Sequence, residues 1–179
     1  MRVENTFEVP EGRQAVWNLL MDVPQVIPCV PGATLSGAGG DESWQAQVAV
    51  TLGPVAMTFD ADIRREAVDE AGGTVRLVVK AREKRGRGAA TADVDSCVED
   101  AGQGTRVTVT TNLRLQGAVA RVGRTEIVEE VSQQMTDSFA SCLQAKLGER
   151  GAETAPAPPL RFTIRTLMSW LWRVVRRRS

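Results

Sequence analysis

The sequence predicts an α+β domain in which a curved antiparallel sheet closes over one long helix. Three observations carry that expectation. Apolar residues alternate with period two through most of residues 44–115, and short turn-rich stretches cut this region into hairpins. A single long 3.6-period stripe then follows, at 127–147. A sheet with one apolar face and one wet face needs one covering layer, and one long amphipathic helix supplies it.

The elements follow in order. "RVENTFEV" at 2–9 sets Val3, Phe7 and Val9 against charged neighbours and reads as a first strand. In "PEGRQAVWNLLMD", Pro10 marks a helix start, and Val16, Trp17, Leu19 and Leu20 form an apolar stripe. "VPQVIPCVPGATL" carries three prolines, which preclude a long helix; a short helical turn and a Pro-Gly turn at 31–32 fit instead. Trp44, Ala46, Val48, Val50 and Leu52 share one strand face. After the turn at Gly53-Pro54 the pattern continues with Val55, Met57, Phe59, Ala61 and Ile63. Val75, Leu77, Val79 and Ala81 repeat it, then Ala90, Ala92, Val94, Ser96 and Val98, then Val107, Val109, Thr111, Leu113 and Leu115. Ile127, Val128, Val131, Met135, Phe139, Cys142, Leu143 and Leu147 make the stripe of a helix expected to end near Gly148.

The inward faces hold many small residues: Ala46, Ala61, Ala81, Ala90, Ala92, Ser96 and Thr111. Interiors pack near crystal density, so missing volume must be closed by a tighter sheet or filled by something else. The second alternative is an apolar cavity with an apolar ligand. Strand alternation assigns its lining to Ala46, Val48, Val50, Met57, Phe59, Ala61, Leu77, Val79, Ala92, Val94, Val109, Thr111 and Leu113, with Ile127, Val131, Met135 and Phe139 from the helix.

Composition removes whole classes of chemistry. The chain contains no His and no Tyr, so a Ser-His-Asp triad, a Cys-His pair and any His-containing metal site are excluded. Asp60, Asp62, Asp93 and Asp95 stand at i, i+2 spacing but on the outward positions, as solvated strand faces do; no metal site and no catalytic residue is assigned. "KAREKRGRG" at 80–88 carries five bases and one acid without the aromatics of a nucleic-acid platform, and reads as a hairpin tip; no nucleic-acid partner is expected. Cys29, Cys97 and Cys142 lie far apart without CxxC spacing, and the N-terminus lacks an apolar signal segment. The expectation is three reduced thiols in a cytoplasmic protein.

The C-terminus is different. "ERGAETAPAPPL" reads as a Pro/Ala-rich linker, reaching on the order of 35 Å at ~3 Å per residue. "RFTIRTLMSWLWRVVRRRS" holds six Arg and no acid, whereas residues 1–160 carry 16 bases and 22 acids. On a helical wheel Leu160, Ile164, Leu167, Met168, Leu171, Val174 and Val175 share an arc flanked by Trp170 and Trp172, with Arg161, Arg165, Arg173, Arg176 and Arg177 opposite. Its longest charge-free run has seven residues, far short of the roughly twenty that span a bilayer. Two uses fit such a helix: lying in an anionic membrane surface, the favoured one, or docking in a partner's groove. The domain plan is therefore 1–148 as a ligand-binding domain, 149–160 as a linker and 161–179 as a membrane-binding tail, placing the chain peripherally on the cytoplasmic side of the cell membrane.

Three stretches, "VPEGRQAVWNLLMDVPQVIPCVPGATL" at 9–35, "LGPVAMTFDADI" at 52–63 and "LQGAVARVG" at 115–123, resemble the carbon monoxide dehydrogenase G-subunit family of the helix-grip (START-like, SRPBCC) superfamily. The resemblance covers residues 1–148. It implies a seven-stranded sheet wrapped round the C-terminal helix with an elongated apolar cavity, and a partner molybdenum hydroxylase of carbon monoxide dehydrogenase type. The reading that follows is a non-enzymatic carrier and tether, with an isoprenoid quinone, menaquinone foremost, as bound ligand and no intrinsic cofactor. An anchoring or assembly factor without a physiological ligand is the alternative. A helix-grip enzyme would need inward carboxylates, and the alternation provides none.

Overall fold

A computed structural model describes residues 1–52 and 55–154. The element order is β1 (Arg2–Val9), α1 (Arg13–Met21), α2 (Val23–Val26), a 3₁₀ turn (Ile27–Cys29), β2 (Ala33–Ala38), β3 (Ser43–Leu52), β4 (Val55–Asp69), β5 (Thr74–Glu83), β6 (Gly88–Ala101), β7 (Gly104–Gly117), α3 (Ala118–Val122) and α4 (Thr125–Thr154). The seven strands form one sheet in the order β1-β7-β6-β5-β4-β3-β2, antiparallel throughout. β2 to β7 are a meander, and β1 lies beside β7, at the edge opposite β2.

Every strand expected from alternation is present. The additional one, β2, is six residues long and carries an irregularity between Leu35 and Gly37, so it offers too short a periodic run to be read alone. The Pro-Gly turn before it is required sterically. Gly32 has φ +76°, and its carbonyl accepts from the Ala49 N–H at 2.9 Å, so a Cβ there would collide with the Ala49 carbonyl.

Direct antiparallel partners share a sheet face, so the register aligns the inward residues in rows. One row runs Leu35, Ala46, Ala61, Ala81, Ala90, Leu115 across β2 to β7. The next runs Trp44, Ile63, Val79, Ala92, Leu113. Beyond it lie Arg65, Leu77, Val94, Thr111 and Val3, then Val75, Ser96, Val109 and Asn5.

The buried core is divided rather than contiguous. The largest cluster joins Val9, Val16, Trp17, Leu19, Val75, Val98, Val107, Leu143 and Leu147 beneath α1. A second is Met57, Phe59 and Val119 at the α3 end, and a third is Val23, Ile27 and Ala46 under α2. A domain of this size ordinarily has one contiguous core; here three surround a space.

Two expectations are corrected. Cys29 and Cys142 form a disulfide that ties the 3₁₀ turn to α4, leaving Cys97 as the free thiol, rather than three reduced thiols. Their separation of 113 residues leaves no local spacing to read, and only the fold brings the Cα atoms to 5.4 Å. α4 also runs through Gly148 to Thr154, past the helix end expected near Gly148. Gly148 is exposed, and a Cβ placed on it would have nothing within 4 Å, so it weakens the helix locally without terminating it. The Gly53-Pro54 turn and the tail at 161–179 lie outside the described residues.

Candidate ligand-binding cavity

Between the concave sheet, α4 and the α1–α2 cap lies a cavity of about 510 Å³. Ligand pockets commonly occupy about 300–1,000 Å³. An interior of this size can hold an apolar ligand or water. The wall favours the former, because water needs two to four polar partners and most of this wall has none.

The sheet rows explain the shape. Ala46, Ala61, Ala81 and Ala90 stand side by side on four adjacent strands, and Ala92 follows in the next row. Each ends at a methyl group, so the sheet's hydrogen bonding stays intact while the volume above it is left open. The alternative of a tighter sheet is not adopted.

Of the sequence-assigned lining, Ala46, Val48, Val50, Phe59, Ala61, Leu77, Val79, Ala92, Val94, Val109, Thr111, Leu113, Val131, Met135 and Phe139 all stand on the cavity wall. Met57 and Ile127 do not. Met57 points inward as expected but is sealed against Phe59 and Val119, and Ile127 packs on the same cluster. They close the end of the cavity instead of lining it. α3, which supplies Val119, is the element that strand parity could not anticipate.

The wall also includes residues not assigned from sequence. Leu20, Val23, Val26, Ile27 and Val30 come from the α1–α2 cap. Asn5 follows the parity of Val3 and Phe7 on β1, and Ser132 and Thr136 lie one and two turns beyond Val128 on α4. Arg65 continues the alternation of Ala61 and Ile63 into the part of β4 where charge discouraged an inward reading.

Arg65 is held from several sides. Its side chain is 13% exposed and its Nε donates to the Glu42 carboxylate. Nη1 donates to the Met21 carbonyl at 2.9 Å, and Cζ lies 5.3 Å from the Trp44 ring centroid. The Arg65 hydrogen bond holds the Glu42 carboxyl below its ordinary pKa against the opposing effect of desolvation. The cavity's one cation, among the described residues, is thus already neutralised.

One buried carboxylate faces inward contrary to expectation. Glu83 pairs with Phe59 and continues the parity of Val79 and Ala81. Its Oε1 accepts from Arg87 Nη2 at 2.8 Å, and its Oε2 from the Arg85 and Arg87 backbone N–H groups. The Arg87 hydrogen bond, first among these, pulls its pKa down to about 2. It is absent from the cavity wall and stays ionised near neutral pH, so it pins the β5–β6 hairpin at 80–88 and offers no general acid. Burial raises the Cys97 thiol, which argues against a thiolate nucleophile. The outward aspartates take cationic or amide partners: Asp60 with Lys84, Asp62 with Gln45, Asp93 with Arg114 and Asp95 with Arg76. Among the described residues no group of three His, Cys, Asp or Glu could hold a metal ion. No helix among them is long and apolar enough to cross a membrane.

Comparison with known proteins places this geometry. The family model for the carbon monoxide dehydrogenase G subunit (CoxG) matches residues 6–148. No curated protein matches the chain. Among solved structures, a conserved protein from Geobacillus kaustophilus is 20% identical, with 83% of this chain and 96% of that chain covered at a TM-score of 0.72. A Thermus thermophilus protein is 14% identical, covering 84% and 99% at 0.61. The Zhui aromatase/cyclase from Streptomyces sp. R1128 is 15% identical, covering 84% and 94% at 0.57. At these identities the likeness shows the fold, which is the helix-grip.

Proposed function

The chain belongs to the carbon monoxide dehydrogenase G-subunit (CoxG) family, and on that premise we propose that it is a non-catalytic carrier and tether for an isoprenoid quinone. The cavity takes the quinone, menaquinone foremost, out of the membrane. The domain then presents its headgroup to a carbon monoxide dehydrogenase-type molybdenum hydroxylase that must discard electrons. The basic tail at 161–179 holds the domain at the anionic cytoplasmic face of the membrane through Arg161, Arg165, Arg173, Arg176 and Arg177, with Leu167, Trp170, Leu171 and Trp172 seated in the interface.

The observation that carries this reading is the cavity, about 510 Å³ in volume and floored by alanines on four adjacent strands. A polyprenyl chain cannot leave a bilayer cheaply, at about 0.8 kcal/mol per methylene exposed to water. An enzyme without a membrane component therefore needs a carrier with an apolar interior. The absence of His and Tyr, and the engagement of Glu83 by the hairpin, support a role without catalysis.

Transfer from a membrane tests the proposal. The full chain is incubated with anionic vesicles containing menaquinone, released with high salt and separated by flotation. The protein fraction is expected to carry quinone in near-stoichiometric amount. A chain that binds and leaves the vesicles without quinone would instead support an anchoring or assembly factor.

A further inference from the structure

The polar groups of the cavity wall are not scattered. Arg65 and Thr111 fall in one sheet row, and Ser96 and Asn5 in the row next to it. Ser132 of α4 faces them, accepting from Asn5 Nδ2 at 2.5 Å. These two rows adjoin the closed core beneath α1, where Val75, Leu77 and Val109 pack. The rows containing Ala92 and Ala61 contribute only apolar residues to the wall. From the Arg65 position to the alanine row is four residues along β4, about 13 Å. The interior is thus zoned along the strands, with a polar belt at one level and an apolar trough beyond it.

The belt has spare hydrogen-bond donors. Among the described residues, the hydroxyls of Thr111 and Ser96 have no protein partner, the Ser132 hydroxyl accepts from Asn5 but donates to nothing, and Arg65 Nη2 makes no hydrogen bond. Polar groups facing an apolar interior without partners are costly, and a ligand that supplies acceptors removes that cost. The Arg65 charge is already met by Glu42, so the complementary ligand is neutral.

We propose that the polar belt formed by Arg65, Thr111, Ser96, Asn5 and Ser132 binds the carbonyl oxygens of a neutral ligand's head, whose apolar chain lies along the alanine trough. This assignment rests on the carrier function proposed above, and it gives the ligand one orientation. The head sits beside α1, and the chain runs along the alanine rows beneath α2 towards α3 and Met57.

The test compares ligands that differ only in the carbonyl groups. Full-length protein and the double variant Thr111→Val/Ser96→Ala are titrated with a prenylated 1,4-naphthoquinone, with the prenylated naphthalene lacking both carbonyls, and with palmitate. Loss of two hydrogen bonds should weaken naphthoquinone binding roughly 10- to 30-fold, with less than about a twofold change for the naphthalene. Ala61→Leu, in the trough, should weaken both prenylated probes alike and shows whether a variant's loss is merely steric. An unchanged naphthoquinone affinity in the double variant overturns the belt assignment, as does an equal loss for the naphthalene. Palmitate binding more tightly than the naphthoquinone overturns the neutral-head assignment. Failure of the wild-type chain to bind either prenylated probe overturns the carrier function itself.

Discussion

Replacing Ala92 by Phe distinguishes an open cavity from a packed core by the sign of its effect. Ala92 lies on the cavity wall between Val79 and Leu113. In a close-packed interior, added side-chain volume forces off-rotamer side chains and backbone shifts, costing about 1–3 kcal/mol. Over a space of about 510 Å³, the new ring has room to adopt a rotamer without displacing a neighbour. Burying a Phe side chain is worth about 1.5–3 kcal/mol, reduced by the rotamer entropy it loses. The net expectation is stabilisation of the ligand-free protein by about 1 kcal/mol, a rise in Tm of about 2–4 °C for a chain of this size. The assay is thermal unfolding of delipidated wild type and variant, followed by circular dichroism, together with uptake of prenylated naphthoquinone. The cavity account requires a higher Tm with weakened uptake. A Tm lowered by several degrees with unchanged uptake would refute it, because the site would then be filled by protein.

Other expectations follow from particular contacts. Cys29→Ser should lower stability by about 2–5 kcal/mol, measured by urea unfolding, because the bridge closes a loop of 113 residues and holds the 3₁₀ turn against α4. Glu83 has its carboxyl pKa lowered to about 2 in the folded chain, so its contribution to stability is full above the ordinary carboxylate value and lost as pH falls towards about 2. Glu83→Gln should accordingly reduce Tm at pH 7 and flatten the acid limb of a stability–pH profile. Gly148→Ala should stabilise by up to about 1 kcal/mol, since a Cβ at Gly148 meets nothing within 4 Å inside a continuing helix; no change would place the helix end at 148. Removing residues 155–179 should abolish cosedimentation with anionic vesicles, and salt should weaken binding of the full chain.

Much of this architecture is legible in the sequence because sheet and helix periodicity are local signals. Strand parity places Ala46, Ala61, Ala92, Thr111 and their neighbours on one face, and the register puts that face on a cavity. The same reasoning fails where tertiary position decides the outcome. Met57 has the correct parity, but α3 folds over its end of the sheet and buries it. Arg65 escapes an inward reading because charge outweighs alternation, yet Glu42, Trp44 and the Met21 carbonyl make an inward guanidinium tolerable. Glu83 obeys parity too, with its partners supplied by a hairpin two to four residues on. The disulfide is invisible for a different reason: a contact across 113 residues exists only once α4 lies along the 3₁₀ turn. The short β2 lacks enough alternation to be seen and needs its neighbour β3 to define it.

The central claim is that the cavity holds an isoprenoid quinone. The most direct measurement is solvent extraction and mass spectrometry of the full chain purified from its native host, with the Ala92→Phe variant prepared in parallel. The variant keeps the tail, so lipid adhering there appears equally in both samples. The account predicts near-stoichiometric quinone from the wild type and a strongly reduced amount from the variant. Equal quinone in both samples, or a wild-type protein free of quinone that also fails to take it up when added, would contradict it.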